Sequence, residues 1–122
     1  MYIYPMYSSE LLKGTLRTIV FKLLKEHGQM YGYEITQRVK ELSGDKIQIT
    51  EGALYPLLHA LESSGDVETL VTFIGKRQRK YYKLTSQGKE NSRKKIEELQ
   101  EFMETLKLLL DGNKGASYGL TN

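Results

Sequence analysis

The run from Thr50 to Leu84 constrains the fold more than any other part of the chain. Leu54, Leu57, Leu58 and Leu61 fall at i, i+3, i+4 and i+7, the spacing that gathers side chains on one face of an α-helix. Thr50 is a good capping residue, and Glu51 follows where a negative charge meets the positive end of the helix dipole. Gly65 ends the pattern. A β-prone run then carries Val67, Leu70, Val71, Phe73 and Ile74 to Gly75, and Lys76 to Leu84 returns with Tyr81, Tyr82 and Leu84 as its apolar body. A helix feeding directly into a hairpin with a cationic tip leaves few architectures open. Pro56 is the local conflict. It removes a helical hydrogen bond and disfavours helical geometry at Tyr55, which predicts a distorted first turn or a helix that begins later than Thr50.

Three further elements flank this run. Ser8 or Ser9 caps a first helix whose apolar face is Leu12, Leu16, Ile19, Val20 and Leu23, closed by Gly28. A second helix runs from about Tyr31 to Leu42 on Ile35, Val39 and Leu42, and Gly44-Asp45 closes it. Thr85 caps a long last helix in which Ile96, Leu99, Met103, Leu106 and Leu110 recur as a heptad seam, widened by Phe102 and Leu109. The expected fold is mainly α with a small β-hairpin: a winged helix-turn-helix plus a long C-terminal dimerisation helix. The corresponding divisions are an N-terminal arm over 1–8, a winged-helix DNA-binding domain over 9–85, the dimerisation helix over 86–110 and a flexible tail over 111–122.

Composition narrows the function. A chain of 122 residues, 39% hydrophobic and 27% charged, suits one small packed domain. With no cysteine, disulfides and thiolate chemistry are excluded. No apolar run approaches the roughly 18 residues that span a bilayer, and the first residues lack a basic leader, so a cytoplasmic location without membrane contact is expected. His27 and His59 have no carboxylate or histidine partners at metal spacing. Glu97, Glu98, Glu101 and Glu104 lie among lysines and read as a solvated helix face. Phosphate-binding glycine loops and nucleophile elbows are missing, so the expectation is a protein that is not an enzyme and needs no metal or cofactor.

Charge placement points elsewhere. Lys76, Arg77, Arg79, Lys80, Lys83 and Lys89 follow one another with no acid among them. Such cations repel unless an anion neutralises them, and duplex phosphates would do so with release of counterions. On an isolated hairpin the same charges would read as a solvated tip that resists aggregation; behind a helix-turn-helix they read as phosphate contacts. The third helix offers Thr50, Glu51, Gly52, Tyr55, Pro56 and His59 opposite its leucines as candidates for base readout. Gly52 permits close backbone approach, and Glu51 either caps the helix or accepts from a cytosine amine. The heptad seam, with Leu12 and Leu16 of the first helix, is the candidate dimer interface: Ile96, Leu99, Phe102, Met103, Leu106 and Leu110; packing of the seam on the same chain's first helix is the other reading. A winged helix used only as a protein-interaction module is the alternative.

Tyr31 to Ile35 (YGYEI), Glu51 to Gly65 (EGALYPLLHALESSG) and Gly75 to Thr85 (GKRQRKYYKLT) together resemble the PadR-like bacterial transcription regulators, and the single last helix resembles the smaller branch of that family. The resemblance implies a homodimer of winged helices on double-stranded DNA, with each third helix in a major groove of a palindromic operator and each wing on the flanking backbone. It further implies a repressor released by a small aromatic or cationic effector. By resemblance Tyr31 sits near phosphate with Lys76, Arg77, Arg79 and Lys80, while Gly52 and Tyr55 lie in the reading helix. Ala53 stands where the family often has a hydroxyl. The chain has no Trp, so Tyr2, Tyr4 and Phe102 are the candidates for holding a flat ligand.

Overall fold

Thr50 caps its helix as its sequence suggests. Its backbone is extended, and its Oγ1 accepts a hydrogen bond from the Ala53 N–H at 3.1 Å. The computed structural model, which describes residues 7–112, arranges the chain as α1 (Ser9–Leu12), α2 (Leu16–His27), β1 (Gln29–Tyr31), α3 (Gly32–Leu42), α4 (Glu51–Ser63), β2 (Val67–Ile74), β3 (Arg77–Leu84) and α5 (Ser86–Asp111). Leu54, Leu58 and Leu61 of α4 are fully buried, each burial contributing about 1.5–3 kcal/mol. They meet Val20, Phe21, Leu23 and Leu24 of α2, Ile35 and Val39 of α3, and Met30, Val67, Tyr82 and Leu84 of the sheet. The fold is therefore mostly helical around a small antiparallel sheet, with a long last helix, as the sequence leads one to expect.

Several expectations need correction. The first helix is two. Gly14, at φ +118°, interrupts the chain between α1 and α2, although the apolar spacing runs on across the break. The sheet has three strands in the order β1-β3-β2, because Gln29–Tyr31 pairs antiparallel with Tyr81–Lys83. That pairing consumes Tyr31, so α3 begins at Gly32. Leu42 is 68% exposed and lies outside the core stripe of Ile35 and Val39. Lys76 belongs to the turn after Gly75 rather than to β3. Pro56 neither delays nor breaks α4, which runs from Glu51 to Ser63 with the proline inside it. The proline sits on the exposed face near the helix start, so the carbonyl of Gly52, which loses its partner, is on the exposed side, where water can satisfy it.

Thr85 caps α5, its Oγ1 accepting from the Gly88 N–H at 3.0 Å. The first half of α5 packs mainly on α2, with Gly88 and Ser92 buried. Beyond Gln100 the described part of α5 is exposed throughout.

Candidate nucleic-acid interface

Tyr55 leaves the outward side of α4 and covers Gly32 at the start of α3. A Cβ built on Gly32 would lie 2.7 Å from the Tyr55 Cζ, so only glycine admits the ring there. The start of α3 is itself fixed locally, since Glu34 accepts from the Tyr31 N–H at 3.1 Å. Across from it, Arg79 of β3 places its guanidinium carbon 4.0 Å from the centroid of the Tyr31 ring. Tyr31 in turn meets Tyr81 edge to face, with centroids 5.5 Å apart. The Tyr81 side chain, with the nearby charge of Glu34, raises the pKa of Arg79 above its already high ordinary value, and the side chain is a fixed cation.

Alternation along β3 puts Arg77, Arg79 and Tyr81 on one face and Gln78, Lys80 and Tyr82 on the other. The second face looks toward α4. There the Lys80 Nζ lies 3.8 Å from a carboxylate oxygen of Glu62, which also accepts from Thr69 Oγ1 at 3.2 Å. Burial pushes the Tyr82 phenol above its ordinary pKa, helped by Tyr55 and Glu62, so it stays protonated. The result is a groove of about 590 Å³ lined by Tyr31, Gly32, Tyr33, Tyr55, Arg77, Gln78, Arg79, Lys80 and Tyr82.

The structure thus joins five of the residues singled out from sequence: Tyr31, Tyr55, Arg77, Arg79 and Lys80. Glu51, Gly52, Pro56 and His59 are exposed along the same helix but outside the groove, and Thr50 lines a separate groove with α1 and Ile49. Lys76 is exposed in the turn at the hairpin tip. The cationic run is less bare than it looks in the sequence, because folding brings Glu62 to Lys80 and Glu68 within 3.8 Å of Lys83. Sequence reasoning missed Gly32 and Glu34. The signal was present in YGYE, where an acid three residues after a helix boundary is a capping pattern.

The candidate dimer residues divide. Leu12, Leu16, Ile96 and Leu99 are half-buried within the single chain, and Ile96 and Leu99 share a groove with Ile19 and Leu23 of α2. Phe102, Met103, Leu106 and Leu110 are exposed, Leu110 at 81%. Phe102 borders a groove of about 570 Å³ with Leu16, Arg17, Leu57 and Leu99. Tyr2 and Tyr4 lie outside the described residues, as does most of the tail. Among the described residues there is no helix long and apolar enough to cross a membrane, and no cluster of His, Cys, Asp and Glu fit for a metal ion.

Residues 20–94 match the family model of the transcriptional regulator PadR-like family. The chain is 34% identical over 110 residues to an uncharacterised protein of Lysinibacillus sphaericus, spanning 88% of this chain and 98% of that one. It is similar in structure to a PadR family transcriptional regulator from Eggerthella lenta, at 31% identity and a TM-score of 0.74 over 85% of this chain and 88% of that one. A transcriptional regulator from Clostridium thermocellum gives 28% identity and a TM-score of 0.74 over 80% of this chain and 95% of that one. With a winged helix, a cation-lined groove beside its third long helix and a family match over most of its length, the chain belongs to the PadR-like family of transcriptional regulators.

Proposed function

We propose that the protein acts as a homodimer that reads a palindromic operator with α4 and represses transcription until a small aromatic or cationic molecule releases it. The observation that carries this reading is the groove whose lining joins Tyr55 of α4 to Arg77, Arg79 and Lys80 of β3. One duplex would then meet both elements, the wing on phosphate and α4 on base edges. Arg79 is held on Tyr31 and Lys80 at Glu62, so both cations are partly ordered before DNA arrives, which reduces the entropy lost on contact. Thr50, Glu51, Gly52, Tyr55, Pro56 and His59 are the residues assigned to the major groove, and Tyr31, Lys76, Arg77, Arg79 and Lys80 to phosphate. The exposed apolar half of α5 supports pairing with a second copy, and the groove beside Phe102 is the site assigned to the effector.

The test is the salt dependence of binding. Arg79→Ala and Lys80→Ala should each weaken binding to every duplex and lower the slope of log K against log salt by about 0.9. An unchanged slope in both variants would remove the wing from the interface. Tyr55→Phe should change the preference among operators more than the affinity for nonspecific DNA, and equal losses on both would take base reading away from Tyr55.

A further inference from the structure

Gly65, at φ +88°, turns the chain out of α4 and delivers Asp66 to a position only 6% exposed. The Asp66 carboxylate accepts from Ser64 Oγ at 3.1 Å, from Gln87 Nε2 at 3.0 Å and from Asn91 Nδ2 at 2.7 Å. Gln87 Nε2 also donates to the Ser64 carbonyl at 2.9 Å, and Thr85 Oγ1 donates to the Gly65 carbonyl at 2.6 Å. The main chain takes part as well, with the Thr85 N–H donating to the Asp66 carbonyl at 3.0 Å. The contact is tight enough that a Cβ on Gly88 would lie 2.8 Å from the carbonyl carbon of Asp66. Among the described residues, every hydrogen bond joining the end of α4 to the start of α5 converges here. Elsewhere α4 packs mainly on α3 and β2, and α5 mainly on α2. None of these residues faces the groove at the wing.

We infer that this junction is a positioning element that sets the tilt of α4 against α5, and through it the half-site spacing the regulator accepts. The inference rests on the reading above, in which two copies pair through α5 and each presents one α4. At 1.5 Å of rise per residue, the reading end of α4 at Glu51 lies roughly 21 Å from the junction at Gly65. With the paired α5 helices held fixed, a tilt of about 9° at the junction displaces that end by about 3.3 Å, close to the 3.4 Å between base pairs. A small loss of angular definition therefore equals a whole step of operator spacing. A carboxylate suits the task, because one buried group accepts several charge-assisted bonds from two helices at once.

The experiment uses the full chain and duplexes selected by it from a random-sequence pool. The two half-sites are then moved apart or together by one and two base pairs, at one salt concentration. Affinity is measured for wild type, Asp66→Asn and Asn91→Ala, and each protein is also measured on an isolated half-site. Wild type should lose about tenfold or more at each one-step change. Both variants should show that ratio reduced severalfold, with half-site affinity preserved. Variants that keep the wild-type ratio, including any that lose affinity uniformly while melting earlier, would show a purely stabilising junction and overturn the inference. Wild type binding all spacings alike would instead overturn the paired reading helices, and the positioning role with them.

Discussion

Two glycines meet their neighbours differently, and the difference sorts their substitutions. At Gly32 the obstruction is the outer end of the Tyr55 side chain, which is 42% exposed and free to swing away. At Gly88 it is the backbone of Asp66, which has nowhere to go. Gly32→Ala should therefore cost about 1 kcal/mol or less in urea unfolding, with its main effect on DNA binding through a displaced Tyr55. Gly88→Ala should cost about 3 kcal/mol or more. Asp66 carries a pH signature. Burial alone would raise its pKa, but the hydrogen bonds from Gln87, Asn91 and Ser64 and the charge of Arg17 outweigh that and hold it below the ordinary value. A carboxylate depressed in the folded state contributes stability that is complete above its unfolded pKa of about 3.9 and disappears as pH falls through the folded value. The stability gap between wild type and Asp66→Asn should accordingly be widest near pH 6 and shrink below about pH 4. A gap equal at pH 6 and pH 3, read by urea titration, would assign it to shape rather than charge.

At the level of elements, α4 keeps a proline six residues into a continuous helix. Pro56→Ala restores an N–H for the Gly52 carbonyl and should stabilise the protein by about 1 kcal/mol, measured as a higher urea midpoint with unchanged slope. Much of the architecture was legible because it is local. The α4 leucines, the Thr50 and Thr85 caps and the glycine-marked hairpin each depend on neighbours a few residues away. What escaped was non-local or masked. Strand β1 exists only because Tyr81–Lys83 lies alongside it, far along the chain. The α1–α2 break was hidden by an apolar spacing that continues across it, with Gly14 the only mark. In the candidate interface, the cations and Tyr55 that line the groove could be read off directly. The acids that partner Lys80 and Lys83 come from α4 and β2, and no inspection of the cationic run alone finds them.

For the molecule as a whole, a single chain leaves Phe102, Met103, Leu106, Leu109 and Leu110 on the outside of α5. Pairing would cover them, and a protein stabilised by pairing melts higher when concentrated. Wild type should thus show a Tm that climbs with concentration, while Met103→Glu with Leu106→Glu should sediment as a monomer whose Tm ignores concentration. The hairpin has a different consequence. Strand β2 is one of the two outer strands of the sheet, and along it Leu70, Val71, Phe73 and Ile74 are about half exposed or more, Phe73 at 67%. Such a strand invites a like strand from a neighbouring molecule, and like charge is what discourages the encounter. The lysines and arginines beside it do that work only while ions in the buffer are scarce. Concentrated brine, the usual means of washing a regulator off nucleic acid, should be the condition in which this protein clumps soonest.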